Sequence, residues 1–369
     1  MVPTYQSECS PAELRGTITS TLQLCNTIGG ILGSVITFAT ANMTSKAAWV
    51  IPTSIQIIAP TLVLIGLYWV PESPRWLLSR DHGVEAAKTM AILRRRGTPM
   101  AQIEMELELM MQDEQTRGKG KWSELFKGTN GRRTGIAVGA MFCQQITGQS
   151  FGGSYGVIFY QQQKITSPSP FALNVVSSTT SFLTTLLTVL VVDSVGRRPL
   201  SLIGSFMMGV WMFVVGAVGS IKNPNAAQKR ALVAGLQLFG KAFSLSWAPL
   251  SYVIMGEVQC QRLREKTVLV ASSISVIATF LVNFTVPYLL NAPYANLGAK
   301  VGYIFGSLSM AAMVWTYFFL PELKNRSLEE LDAMFEAKVP TRQFRNYETT
   351  GVGREITELE GVHVAFSKA

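Results

Sequence analysis

Histidine is almost missing from this chain, with only His82 and His363, and the four cysteines, Cys9, Cys25, Cys143 and Cys260, follow neither metal nor disulfide spacing. That scarcity argues against a zinc centre and against a disulfide-stapled secreted scaffold. There is no Walker A run, no dinucleotide-binding glycine pattern and no cluster of metal-ligating residues, so neither cofactor nor metal is expected. The N-terminus has no basic region, apolar core or cleavage site of the kind a signal peptide carries. Charge is missing from the long apolar runs, where Lys241 is the one deeply placed charge. A membrane-embedded hydrolase or redox enzyme would need ionisable groups there in combination, so the chain is not expected to be an enzyme.

What the chain has is hydrophobic length. Of 369 residues 48% are hydrophobic, and the mean hydropathy is +0.27. The apolar residues fall into eight runs near 17–39, 49–70, 134–160, 171–192, 200–220, 231–256, 267–290 and 301–320. Each is about 20 residues or more, the length a helix needs to cross roughly 30 Å of hydrocarbon. A large soluble protein does not supply eight such runs with short polar gaps.

The net charge of +9 suggests a nucleic-acid binder until the cations are placed. Arg15, the Lys and Arg of the 72–133 segment, Arg197, Arg198, Arg262, Arg264, Lys266 and the tail from Lys324 share one side of an eight-span chain. The other side holds only Lys46, Lys164, Lys222, Lys229, Arg230 and Lys300. This is the positive-inside bias. It predicts an integral membrane protein with both termini cytoplasmic, placed in the plasma membrane, with the lipid bilayer and no nucleic acid as partner. Oligomeric state is not legible.

Charged motifs recur about 250 residues apart. Pro71-Glu72-Ser73-Pro74-Arg75-Trp76 closes one run and Pro321-Glu322-Leu323-Lys324-Asn325-Arg326 another. Glu8 with Arg15 precedes the first, Glu257 with Arg264 the second. Such a repeat implies two related bundles, as in transporters. Asp193-Ser194-Val195-Gly196-Arg197-Arg198 would have its counterpart before Met1, so the first copy is expected to be incomplete. The division read is 1–71 for the last two helices of an N-terminal bundle, 72–133 for a cytoplasmic helical loop, 134–320 for a six-helix bundle, and 321–369 for an amphipathic helix and tail. Within the loop, helices are expected near 86–93 and 103–110. Ser327 and Glu330 have capping-box spacing, and residues from about 340 are expected to lack order.

Polar side chains inside spans usually face a bundle interior or an aqueous path. The run 134–160 is the most polar, with Gln144, Gln145, Thr147, Gln149, Ser150, Ser154, Tyr155 and Tyr160. Closely spaced amides suit sugar hydroxyls better than ions, with interhelical hydrogen bonding as the alternative. Gly148, Gly152, Gly153 and Gly156 permit local unwinding. Gln23, Asn283, Trp247 and Tyr252 add single contributions, and the two aromatics stack on a pyranose or pack a core with equal weight. Lys241 is either a functional group or, as preferred here, a side chain snorkelling to the outer interface. Glu8, Arg15, Glu72, Asp193, Arg197, Arg198, Glu257, Arg264 and Glu322, at cytoplasmic helix ends, suit ion pairs that form in one state of two rocking bundles and break in the other.

The set Ser7-Glu8-x-x-Pro11-x-x-Leu14-Arg15-Gly16, Pro71-Glu72-Ser73-Pro74-Arg75-Trp76, Gln144-Gln145-x-Thr147-Gly148, Asp193-x-x-Gly196-Arg197-Arg198 and Pro321-Glu322-x-Lys324-x-Arg326-Ser327-Leu328-Glu329-Glu330 resembles the signatures of the sugar porter family of the major facilitator superfamily, in its fungal style. The resemblance covers about residues 5–336. It implies an all-α membrane fold of twelve helices, of which this chain matches helices five to twelve. It also implies sugar contacts at Gln23, Gln144, Gln145 and Asn283. Ser150, Tyr155 and Tyr252 stand where many members carry other residues, which leaves the carbohydrate unidentified. The function implied is transport of a sugar or related polyol by alternating access, with protons co-transported in the intact form. The alternatives are a transporter-like nutrient sensor or a non-functional fragment of a permease.

Overall fold

The apolar runs fold as helices, and no strand occurs among the described residues. The computed structural model describes residues 2–10, 14–94, 98–117, 120–162, 169–221, 224–324 and 326–347; for some of these, Arg15 among them, it describes the backbone alone. A short α1 (Val2–Cys9) leads to α2 (Arg15–Thr40), followed by α3 (Ala47–Ile55) and α4 (Ile58–Gly66). Three further helices come next: α5 (Pro74–Leu78), α6 (Gly83–Leu93) and α7 (Met100–Arg117). The large bundle comprises α8 (Gly128–Ile146), α9 (Gln149–Ser154), α10 (Gly156–Gln162), α11 (Pro170–Val195), α12 (Arg197–Gly219), α13 (Ala226–Leu245), α14 (Trp247–Glu257), α15 (Arg264–Leu290) and α16 (Val301–Phe319), with α17 (Leu328–Glu336) after it.

Among the described residues six stretches are long and apolar enough to cross a membrane: Gly16–Thr40, Ala47–Trp69, Pro170–Val195, Arg197–Gly219, Arg264–Leu290 and Gly298–Phe319. The other two expected spans, 134–160 and 231–256, are interrupted instead of continuous. Gly148 takes φ +99°, a left-handed conformation that ends α8. A Cβ there would stand 2.8 Å from Phe305 Cγ, so the break also needs a residue without a side chain. The second interruption lies at Ser246 (φ −126°, ψ −91°), three residues before Pro249.

Packing within the bundle is pairwise. α12 lies between α13 and α16, and α8 packs on α15 and α14. α2 lies along α11 and α14, so the first long helix is part of the same body. The core is a continuous apolar cluster that includes Phe151, Phe159, Met208, Phe239, Trp247 and Phe305. α3 and α4 have no buried residue, and Trp49, Ile57, Leu64 and Trp69 are all exposed. A helix apolar on every face fits hydrocarbon as its solvent.

The cytoplasmic helices expected near 86–93 and 103–110 are α6 and α7. Leu77, Met90, Ile103 and Leu107 make their small core, closed by the buried Arg94–Glu106 pair. The tail differs from expectation. Residues 340–347 are packed, not loose: Phe344 is fully buried edge-on against Phe335 with ring centroids 4.9 Å apart. Arg132 donates to Val339 O at 2.7 Å and Thr341 Oγ1 at 2.9 Å, and Arg133 pairs with Asp332. Two aromatics and a cluster of guanidinium donors outweigh the polar composition that suggested disorder. Residues beyond 347 lie outside the described set.

Ser327 caps α17, its Oγ accepting from Glu330 N at 3.1 Å. The Glu330 carboxylate pairs with Arg326. Ser327→Ala is expected to cost about 1 kcal/mol of tail docking. Limited proteolysis should then cut the tail roughly five-fold faster; an unchanged rate would show that the cap does not hold the strap.

Candidate functional site

Pro249 and Pro287 each leave a backbone carbonyl without a helical donor, and polar side chains from neighbouring helices take these up. Pro249 has no N–H to offer Leu245 O. Thr188 Oγ1, from α11, donates to that oxygen at 3.0 Å. Pro287 in α15 likewise frees Asn283 O, which accepts from Tyr155 OH at 3.1 Å. Gln144 Nε2, from the last turn of α8, reaches Trp247 O at 3.3 Å and Ala248 O at 3.2 Å. Unpaired carbonyls in hydrocarbon cost several kcal/mol each, about the scale for a group with no water to bond. These residues therefore hold the breaks in place.

Gln144 and Gln145 form the centre of the polar network. Gln145 Nε2 donates to Gln144 Oε1 at 3.0 Å and to Ser275 Oγ at 3.2 Å. Tyr252, half-buried on α14, packs against the cluster that contains Ala137 and Met141 of α8, beside the Gln144 side chain. Gln144 is buried and engaged on both amide atoms. Gln145 is half-buried, and its Oε1 has no partner among the described residues. Asn283 lies two turns beyond Ser275 on one stripe of α15. Gln144, Gln145, Tyr252 and, through α15, Tyr155 and Asn283 thus belong to one polar seam.

The remaining candidates sit elsewhere. Gln23 is half-buried on α2, which packs on α14, but it is not hydrogen bonded to the glutamine pair. Ser150 is buried at the start of α9. Trp247 is fully buried, and its Nε1 donates to Ser205 Oγ at 2.7 Å, so it packs the core in this conformation. Lys241 does not snorkel outward as preferred from sequence. Its Nζ turns into the groove between α13 and α11 and donates to Ser177 O at 2.9 Å. The acceptors Ser177 and Ser181 lie on a different helix, and that is why sequence spacing gave no hint of them.

At the junction of α11 and α12 Arg197 is wholly buried between carboxylates. It contacts Glu257 Oε1 at 2.6 Å and Oε2 at 3.1 Å, and Asp193 Oδ1 at 2.8 Å. Glu322 acts differently from an ion-pair partner: its carboxylate accepts from Arg197 N at 2.9 Å and Arg198 N at 3.2 Å. It caps α12, where an anion is favoured by the helix dipole. Gly196, at φ +105°, brings the carboxylate in, since a Cβ would stand 2.6 Å from Glu322 Oε2. The Arg198 guanidinium goes to Tyr317 O at 2.8 Å.

Arg264 does not join Arg197 but crosses to Glu8 Oε1 at 3.0 Å, and Ser73 Oγ donates to Glu8 Oε2 at 2.6 Å. Thr17 N donates to Asp193 Oδ2 at 2.7 Å, and a side chain at Gly16 would run into Asp193 and Arg197. These contacts tie α1 and α2 to the large bundle. Glu72 is exposed, and the Arg15 side chain lies outside the described residues.

Comparison with known proteins follows the same lines. Residues 1–335 match the family described as "Sugar (and other) transporter". The probable glucose transporter rco-3 of Neurospora crassa is 27% identical over 372 residues, 97% of this chain and 62% of that protein. The high glucose sensor RGT2 of Saccharomyces cerevisiae is 28% identical over 353 residues, 91% of this chain and 45% of the sensor. The solved proton:xylose symporter XylE bound to 6-bromo-6-deoxy-D-glucose has the same fold, with a TM-score of 0.76 and 23% identity over 90% of this chain and 70% of that one. Against the first curated relatives the chain spans only 62% to 66% of their length.

Proposed function

Because this chain belongs to the sugar (and other) transporter family, with a major facilitator fold, we propose that it binds a sugar or related polyol and moves it across a membrane by alternating access. The observation that carries this is the Gln144–Gln145–Tyr252 seam, whose outward member Gln145 keeps a free amide oxygen. A polyhydroxyl ligand needs neutral donors and acceptors together, and those residues supply both. Glu8–Arg264 and Thr17–Asp193 are the breakable contacts that rocking bundles require, so the gating role stays attached to Glu8, Asp193, Arg197, Glu257 and Arg264. Residue assignments at Gln23, Ser150, Tyr155, Trp247 and Asn283 remain part of the proposal, as do proton symport, a plasma-membrane location and cytoplasmic termini.

A sensor that binds sugar without moving it is the second reading, favoured by the match to RGT2. Purified chain in lipid nanodiscs, titrated with glucose, fructose, maltose and sorbitol, tests the binding common to both. At least one should bind saturably. Absence of binding to all four overturns the proposal. Uptake into vesicles containing the chain separates carrier from sensor.

A further inference from the structure

Lys241 carries charge into the middle of the bundle without a counter-ion. Its Nζ donates to Ser177 O at 2.9 Å and lies 3.2 Å from Ser181 Oγ, 3.4 Å from Ser177 Oγ and 3.5 Å from Gln237 Oε1. Gln237 is fixed in turn, its Nε2 donating to Tyr160 OH at 3.2 Å and Leu173 O at 3.3 Å. Every partner of the ammonium is therefore neutral. The sequence supplies no alternative: residues 16–71, 134–192, 199–256 and 266–321 contain neither Asp nor Glu. Asp193, on the same helix as Ser181, is twelve residues further on, about 18 Å along the axis, and is bound to Arg197.

An ammonium inside a membrane-spanning bundle, stabilised by dipoles alone, is costly and is retained where it does something. Its surroundings are suited to an arriving anion. The hydroxyls of Ser177 and Ser181 stand one helical turn apart, and each can turn its O–H from the lysine toward a negative oxygen. With the ammonium they make a charge-assisted donor set of the kind carboxylates take. Lys241, Ser177 and Ser181 are half-buried and not sealed, and a Cβ on the adjacent Gly240 would meet nothing within 4 Å. Lys241 lies four residues, about 6 Å, before the end of α13 at Leu245, and the break at Ser246 leads directly to Trp247, whose carbonyl Gln144 holds.

We propose that Lys241, Ser177 and Ser181 form a carboxylate subsite, and that the ligands of this chain are acidic sugars, uronates or aldonates, whose carboxylate sits there. The inference rests on the sugar-binding reading above and names its substrate class. The axial offset places the carboxylate at one end of an elongated ligand and the ring held by the glutamine pair at the other.

Two matched pairs test it by isothermal titration of the whole chain in nanodiscs: glucuronate against glucose, and lactobionate against lactose. In at least one pair the acid should bind ten-fold tighter or more. Lys241→Met should bring that acid-to-neutral ratio down to about one, and Lys241→Arg, which keeps the charge, should retain a preference. Should Lys241→Met not fold, Ser181→Ala removes a hydroxyl and no charge, and should lower the ratio several-fold. Equal affinity within both pairs, or an acid preference undiminished in Lys241→Met (or in Ser181→Ala, should Lys241→Met not fold), overturns the subsite and leaves the sugar reading standing. If none of these four ligands binds, the subsite falls, and the sugar reading then stands or falls with fructose, maltose and sorbitol.

Discussion

Arg197→Ala is expected to loosen the end of the bundle where α11 meets α12, because it removes the buried cation that Glu257 and Asp193 share. Glu257 is itself buried and meets Arg197 through both oxygens, at 2.6 Å and 3.1 Å. Asp193 holds the same guanidinium at 2.8 Å. Removing one partner of a buried pair costs about 3–5 kcal/mol, since the other charge stays desolvated. The thermal midpoint in detergent should fall by roughly 5 °C. Arg197→Lys should fall by less, keeping the charge but losing the forked geometry that spans both Glu257 oxygens. A midpoint unchanged in Arg197→Ala would mean that the cluster contributes no stability. Arg264→Ala is the informative control: it breaks the crossing to Glu8, where the carboxylate keeps its hydrogen bond from Ser73, and one hydrogen bond to Gly256 O. Its effect should be smaller and fall on the docking of α1 and α2.

Gln145→Ala is expected to weaken sugar affinity ten-fold or more. The substitution removes the free amide oxygen that faces the seam, and it also releases Ser275 Oγ and Gln144 Oε1 from their 3.2 Å and 3.0 Å hydrogen bonds. A lost ligand hydrogen bond together with newly unpaired groups costs about 1–3 kcal/mol, and about 1.4 kcal/mol is a factor of ten in affinity. Titration of the sugar that binds wild type most tightly reads the change. Gln144→Ala is expected to act differently, lowering the thermal midpoint as well as affinity, because Gln144 also holds Trp247 O and Ala248 O at the α14 break. Unchanged affinity in Gln145→Ala would remove Gln145 from the site.

Run length and composition were enough to place the helices, because a membrane span must satisfy its own backbone and bury nothing charged. The motif set around Glu8, Pro71–Trp76, Gln144–Gln145, Asp193–Arg198 and Pro321–Glu330 was enough to indicate the family. Glycine and proline positions also marked where the spans would bend. Gly148 and Pro249 lie at the two breaks, and Pro287 frees the Asn283 carbonyl. The partners depended on tertiary structure. Nothing in local sequence says that Thr188 serves the carbonyl freed by Pro249, or that Tyr155 serves the one freed by Pro287, since each crosses from one helix to another.

The charges at the helix ends make the same distinction. Their placement at helix ends was legible, yet Glu322 caps backbone amides instead of pairing with a guanidinium, and Arg264 crosses to Glu8 and not to Arg197's cluster. Residues 340–347 looked unstructured by composition but dock through Phe344, whose receptor is assembled from α8 and α17. Lys241 shows the division most sharply. By itself the sequence determined that a lone cation lies in an acid-free bundle. Only the packing of α13 on α11 decided that it turns inward to Ser177 and Ser181, because a flexible lysine takes whichever route gives its ammonium enough acceptors, and those acceptors lie more than 50 residues away along the chain.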